Sequence, residues 1–388
     1  MPLLCELKLR NLLSFGGDTA PLALGPLNVL IGPNGCGKSN LVEAVGLLRA
    51  APADLVAPIR EGGGIRDWLW KGADRPTSAV LEVLVEYPQG KQPLRYRLEL
   101  GDAGGRLEII DERIENARPF PGHEKPIFYF GYEGGRPMLN VCGDRRYLRR
   151  EEVDAQRSIL SQRKDPDQYP ELTYLGEVFA RIRVYREWSF GRYTAPRVPQ
   201  PADLPNDVLA EDGRNLGLVL SRLRRDPQTK QRLVEHLRKL YDGIDDFEVT
   251  VEGGTVQIFL QEGRWAVPAT RLSDGTLRYL GLLAILCHPS PPPLVCLEEP
   301  ELGLHPDLQA HLATLLREAA SRTQLIVTTH SDILVDALTD TPDAVIVCEK
   351  EHGCTQLQRL EAERLRPWLE SYRLGELWTR GEIGGTRW

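Results

Sequence analysis

The apolar positions change period several times along the chain, and each change marks an element. Leu4-Cys5-Glu6-Leu7-Lys8-Leu9 alternates as a half-buried strand does. Arg10–Phe15 reads as a connector, and Leu27-Asn28-Val29-Leu30-Ile31 as a short buried strand. Leu41, Val45 and Leu48 fall at helical spacing, which predicts a helix from Lys38 onward. A loop rich in Ala, Pro and Gly follows over 51–64. From about residue 78 to 141 the period is two. Leu94, Tyr96, Leu98 and Leu100 share one face, and Arg95, Arg97 and Glu99 share the other. Turns at Gly104-Gly105 and Gly134-Gly135 complete the signature of an antiparallel sheet.

Residues 170–245 read as largely helical, interrupted by a proline-rich link over 195–205, with a later helix over roughly 216–240. Phe247–Val251 and Val256–Leu260 predict a hairpin joined at Gly253-Gly254. An apolar helix over 279–287, a continuous apolar strand at 294–297, a helix carrying Leu308, Leu312, Leu315 and Leu316, and a strand over 324–331 follow in turn. Strands alternating with helices predict an α/β fold. No heptad run is long enough for a coiled-coil arm, and there is no internal repeat.

Composition narrows the class. Hydrophobic content of 41% and charged content of 27% over 388 residues are ordinary for a soluble protein of two or three subdomains. No apolar run approaches the ~18 residues of a membrane span, and Met1–Glu6 lacks the basic-then-apolar pattern of a signal peptide. The seven cysteines are scattered without a CxxC pair, and Cys296 sits inside an apolar run. These features predict a cytoplasmic, reduced-thiol protein with no membrane partner. A net charge of −7 argues against a dedicated nucleic-acid binder, although it leaves room for a local basic patch.

Chemistry concentrates in four segments. Ile31–Asn40, IGPNGCGKSN, places Gly32, Gly37, Lys38 and Ser39 on the GxxxxGK[ST] pattern between a predicted strand and helix. That context surrounds a polyphosphate with backbone N–H groups and a helix N-terminus. Lys38 then reaches the β- and γ-phosphates and the Ser39 hydroxyl ligates Mg²⁺. In Leu272–Arg278, LSDGTLR, Ser273 reads first as a helix N-cap, which also makes an anion site. Glu298 and Glu299 end a buried apolar strand, the edge where α/β sheets bind ligands. One acid can serve a metal and its neighbour can polarise water. His330 ends the next strand and is placed for a γ-phosphate or water contact. Two basic groups, at Arg145, Arg146, Arg149 and Arg150 and over Arg222–Lys239, read more simply as solvated faces than as phosphate-backbone contacts.

GPNGCGKSN, LSDGTLR, LEEPELGLHP and TTHS, in that order, resemble the Walker A, signature, Walker B with D-loop and switch-histidine motifs of ABC-type ATPases. The resemblance is to the SMC/RecF/OLD-like branch, and more narrowly to small bacterial predicted ATPases without a TOPRIM domain. These close on a Gly-Glu-Leu-Trp…Gly-Gly-x-Arg-Trp tail, here Gly375–Trp378 and Gly384–Trp388. The resemblance implies a P-loop NTPase head of RecF/SMC type with an antiparallel β-subdomain and a helical insertion. It divides the chain into a Walker A lobe (1–77), a β-subdomain with the Q-loop (78–165), a helical insertion (166–246), a lobe with signature, Walker B and switch (247–350) and a tail (351–388).

It also implies ATP and Mg²⁺ held by Gly32, Pro33, Asn34, Gly35, Cys36, Gly37, Lys38, Ser39 and Asn40, with Ser39, Gln162 and Glu298 serving the metal. Ser273 and Gly275 would reach the nucleotide of a second copy in a head-to-tail homodimer. Glu299, His330 and Gln162 would carry catalysis. Glu298 stands where the family usually has Asp. A role in DNA-associated repair or defence follows from the resemblance, with DNA or a separate effector protein such as a nuclease as partner. A transporter nucleotide-binding subunit is the alternative that the long insertion between Gln162 and Ser273 speaks against.

Overall fold

The computed structural model describes residues 2–72, 76–133, 135–141, 144–148 (backbone only at 144–146), 152–188 and 191–385. They fold as two compact units. One takes the chain up to Ile182 together with Ile346–Leu360 and the residues from Gly384; the other takes Arg183–Val345 and Glu361–Ile383.

In the first unit, eight strands among the described residues form an antiparallel sheet. In spatial order they are Leu22–Ala23, Leu4–Arg10, Ser78–Val85, Leu94–Ala103, Arg106–Asn116, Phe128–Glu133, Arg136–Val141 and Asp144–Tyr147. The alternation in Leu94–Leu100 does what its period requires. Leu94, Tyr96, Leu98 and Leu100 are buried, while Arg95 pairs with Glu115 at 2.8 Å and Arg97 with Asp111 at 2.5 Å on the other face. The N-terminal strand joins the same sheet, because Leu7 and Leu9 pair with Val83 and Leu81 of Ser78–Val85. A second, smaller sheet places the fully buried strand Leu27–Ile31 beside Val345–Glu351, which folds back antiparallel onto Cys354–Arg359. The helix Lys38–Ala50 buries Leu41, Val42, Val45, Leu47 and Leu48 and is packed by the helix Pro170–Ala180.

The second unit is built on three parallel strands, Arg183–Tyr185, Leu294–Glu298 and Gln324–Thr328, in register from Leu294↔Gln324 to Glu298↔Thr328. Leu294–Leu297 and the whole of Gln324–Thr328 are buried, the near-continuous apolar run expected of a covered parallel strand. The helices Asp274–Leu286 and Pro306–Ala320 supply buried leucines to the same core. The predicted hairpin is present as Ile244–Glu252 and Thr255–Glu262, extended by Gln200–Pro201 and Trp265–Pro268.

The single helix predicted over roughly 216–240 is two, Leu216–Leu223 and Pro227–Leu237. Pro227 cannot continue a helix, and Asp226 starts the second one by accepting from Thr229 N at 2.8 Å. The Gly375–Trp378 part of the tail lies in the helix Leu374–Thr379, which docks on the helix Asp332–Asp336. Gly375 permits that approach, since a Cβ there would lie 2.4 Å from the Asp332 carbonyl oxygen. Thr386, Arg387 and Trp388 lie outside the described residues. Among the described residues no helix is long and apolar enough to cross a membrane.

Candidate functional site

The glycine loop is shaped by three left-handed glycines, Gly32 (φ 146°), Gly35 (φ 78°) and Gly37 (φ 113°). Two of them also have no room for a side chain. A Cβ on Gly32 would overlap the Cys348 carbonyl oxygen, and one on Gly37 would overlap Thr355 Oγ1. Gly37 caps the helix Lys38–Ala50 without any side-chain hydrogen bond, so no side chain competes with an anion for the first N–H groups. Lys38 is buried, and its Nζ donates to the carbonyls of Gly32 at 2.8 Å and Pro33 at 3.1 Å. The ammonium thus closes the loop on itself. Asn34 and Gly35 face solvent.

Two residues that sequence reasoning passed over brace this loop. Asn40 Nδ2 donates to Ser14 Oγ at 2.8 Å. Thr355 Oγ1 lies 2.6 Å from the same hydroxyl and 2.7 Å from the Cys36 carbonyl oxygen. Ser14 and Thr355 are far apart in the chain, so no local spacing could have linked them.

In the second unit the two acids part ways at the strand end. Glu298 Oε2 lies 3.2 Å from Arg186 Nε, whereas its Oε1 is buried without a hydrogen-bond partner. Glu299 sits at φ 45°, a left-handed conformation that costs a non-glycine residue free energy and concentrates at functional sites. Its N–H donates to the Thr328 carbonyl at 3.0 Å, and its Oε1 lies 3.7 Å from His330 Nε2. Both side chains are 37% exposed, open to a ligand from solvent. Glu301 is buried and accepts from Thr329 Oγ1 at 2.6 Å and from His330 N at 2.9 Å, so it fixes the backbone of the histidine. Burial pushes its carboxyl upward. Trp188 Nε1 donates to the Glu298 carbonyl at 3.1 Å, and the Arg278 guanidinium stacks 5.6 Å from the Trp188 ring. Arg186, Trp188, Glu301 and Arg278 complete the cluster; Glu301 lies in LEEPELGLHP and Arg278 in LSDGTLR, whereas Arg186 and Trp188 had no sequence signal.

Ser273 does cap the helix Asp274–Leu286, accepting from Thr276 N at 3.1 Å. A Cβ on Gly275 would lie 2.5 Å from the Gly303 carbonyl oxygen, so the signature turn packs backbone to backbone against the turn after the acids. Arg197 braces it. This buried arginine from the proline-rich link donates to the carbonyls of Leu272 and of Ala269 (3.4 Å), and pairs with Asp274.

Gln162 ends the short helix Ile159–Gln162, and its amide is spent on its own loop. It donates to the carbonyls of Arg157 at 2.6 Å and Asp154 at 3.2 Å and accepts from Asp154 N at 2.8 Å. The arginines over 222–239 are partly engaged as well. Arg222 donates to Asn206, Arg224 lies over the Phe247 ring, Lys230 pairs with Asp246, and Arg238 donates to the Asp245 carbonyl. Arg149 and Arg150 lie outside the described residues.

The family model AAA_21, described as "AAA domain, putative AbiEii toxin, Type IV TA system", matches residues 27–336. The chain belongs to this family. No curated protein matches it. Among solved structures, this AAA_21 protein is similar to a Smc head bound to the C-winged helix domain of ScpA. The TM-score is 0.60 at 16% identity, over 94% of this chain and all of the other. A Smc head with an extended coiled coil, bound to the C-terminal domain of ScpA, derives from Pyrococcus furiosus. It gives 0.59 at 15% identity, over 95% and 99% of the two chains. A Smc head with a coiled coil and joint from Pyrococcus yayanosii gives 0.53 at 12%, again over 95% and 99%. At such identities these likenesses establish the fold, a P-loop NTPase head of the ABC type. By family this is an AAA_21 protein and by fold it is like Smc heads, so the expected fold class holds.

Proposed function

We propose that this AAA_21 protein binds ATP with Mg²⁺, closes as a head-to-tail homodimer on two nucleotides, and reopens on hydrolysis. The observation that carries the reading is the strained Glu299 at the end of its parallel strand, with His330 beside it. Its carboxylate is 37% exposed, so it can take a proton from an attacking water. The backbone N–H groups of Asn34–Ser39 and the Lys38 ammonium orient the polyphosphate. Ser273 and the N–H groups behind Gly275 meet the nucleotide of the other copy. Glu301 keeps the His330 backbone in place.

A magnesium ion bound mainly through water and phosphate oxygens would take the Ser39 hydroxyl of the first unit. In the second unit, Glu298 Oε1 is a buried acceptor with no hydrogen-bond partner. When bound, the ion neutralises charge developing on the phosphates. The Glu298 carboxylate, anchored by Arg186, stands ready for its water shell. Gln162 would join that shell only after leaving its present hydrogen bonds.

Binding ATP better as a closed dimer than as an open monomer makes the nucleotide a conformational ligand. We place the resulting grip in DNA-associated repair or defence in the cytoplasm, acting on DNA or on a separate effector protein. ATP-dependent, salt-sensitive binding to duplex DNA supports the DNA arm; no binding at low salt removes it. The ATPase reading is tested by light scattering and phosphate release. Glu299→Gln is expected to retain ATP, accumulate as a dimer and lose about 10²–10⁴ of its hydrolysis rate. Lys38→Ala is expected to stay monomeric with ATP. Normal turnover in Glu299→Gln refutes the assignment of the base.

A further inference from the structure

Two sulfurs that take no part in the proposed hydrolysis are packed beneath the glycine loop. Cys36, in the loop, is 1% exposed, and Cys348, on the strand Val345–Glu351, is fully buried. They come from opposite ends of the sequence, yet the Cys348 thiol donates to the Cys36 carbonyl oxygen at 3.3 Å. Lys38 Nζ stands 3.8 Å from Cys36 Sγ. The packing leaves no slack, since a Cβ on Gly32 would lie 3.0 Å from Cys36 Sγ and overlap the Cys348 carbonyl oxygen. The neighbouring Cys348 thiol, helped by the Lys38 charge and opposed by burial, draws the Cys36 thiol down to about 6. Cys348 is pushed upward by its Cys36 neighbour and by burial. A thiolate beside an ammonium is the reactive form of cysteine, and a neighbouring protonated thiol is placed to resolve its oxidation.

We propose that Cys36 and Cys348 form a peroxide-sensitive pair whose disulfide switches off nucleotide binding at the glycine loop. The Cys36 thiolate attacks one oxygen of hydrogen peroxide. The O–O bond breaks, hydroxide leaves, and Cys36 becomes a sulfenic acid. The Cys348 sulfur then attacks Cys36 Sγ, gives up its proton, and displaces the hydroxyl as water. The two sulfurs lose two electrons and the peroxide gains them. A sulfur–sulfur bond of about 2 Å ties the loop to the strand behind it. The tie draws Cys36 toward that strand, so the Cys36 N–H leaves the set that faces phosphate.

The bridge itself does not depend on the proposed function, whereas its effect on nucleotide binding does, and the two are read separately. Full-length reduced protein is treated with hydrogen peroxide, its free thiols are alkylated, and its peptides are mapped by mass spectrometry. A fluorescent ATP analogue is titrated into the same samples. The expected result is a loss of about 2 Da located in one Cys36–Cys348 peptide pair, at least tenfold weaker nucleotide binding, and recovery with dithiothreitol. Cys348→Ala, with Cys348→Val as a second variant, is expected to bind nucleotide like wild type when reduced and to form no bridge. The proposal is overturned if bridges form only at other cysteines, if Cys36 goes straight to sulfinic acid in wild type, or if the bridged protein binds nucleotide unchanged. Failure of reduced wild type to bind nucleotide would instead sink the ATPase reading and leave the bridge to stand or fall on the peptide map.

Discussion

Glu112 illustrates how much one buried side chain can hold. It lies on the strand Arg106–Asn116 and accepts from Tyr96 Oη at 2.8 Å, Ser158 Oγ at 2.5 Å and Ile159 N at 2.8 Å. It therefore ties the sheet to the start of the helix that bears Gln162. Burial pushes its carboxyl up to about 7, against the pull of those three donors. The sign follows from linkage. Between about 4.5, its unfolded value, and about 7, the folded state holds a proton that the unfolded state has released. Stability from this group is therefore full below the unfolded value and falls as pH rises through that window. Glu112→Gln should remove the slope, worth up to about 3 kcal/mol. Urea midpoints at pH 5 and pH 8 check it, since an undiminished difference in the variant would place the titration elsewhere. Strand alternation placed Leu94–Leu100 correctly, but nothing in the sequence singled out Glu112. Only the cross-strand Tyr96 and the distant Ser158 make it a buried one.

At the scale of elements, the signature turn is the sharpest case. Ser273 as an N-cap was readable from sequence because capping is local. The need for glycine at 275 was not, because the obstacle is the Gly303 carbonyl, supplied by a separate turn. Gly275→Ala is expected to cost about 1–3 kcal/mol by overpacking and to abolish ATP-dependent association, measured by denaturant melts and light scattering. A stable, still-associating variant would show that the turn moves freely. Arg197 carries a related lesson. A proline-rich link reads as a connector, yet its arginine is buried against the carbonyls of Leu272 and Ala269. Arg197→Ala should cost about 1–3 kcal/mol, the usual penalty for a buried acceptor left unsatisfied. It should also weaken nucleotide-driven association more than monomeric ATP binding, as paired titrations would show.

For the whole molecule, the head-to-tail proposal makes turnover a property of two copies. ATPase activity per protein should fall on dilution through the dimer's dissociation range, because each site lacks Ser273 of its mate when alone. Initial rates measured across a hundredfold protein dilution test this. A constant specific activity would mean that one chain completes its own site.

What the sequence determined was set by local chemistry: strand and helix periods, the glycine loop before Lys38, the cap at Ser273, and two carboxylates ending an apolar strand. Each depends on neighbours a few residues away, where spacing alone fixes geometry. Tertiary structure decided the rest. It spent the Gln162 amide on its own loop and gave several basic side chains partners within the fold, whereas the helix break at Asp226-Pro227 was a local signal left unread. It also brought Ser14, Thr355 and Cys348 to the glycine loop, and Arg186 and Trp188 to the acids. Those contacts join residues tens to hundreds of positions apart, and a side chain's partner at that range is chosen by packing of the folded chain, which no periodicity records.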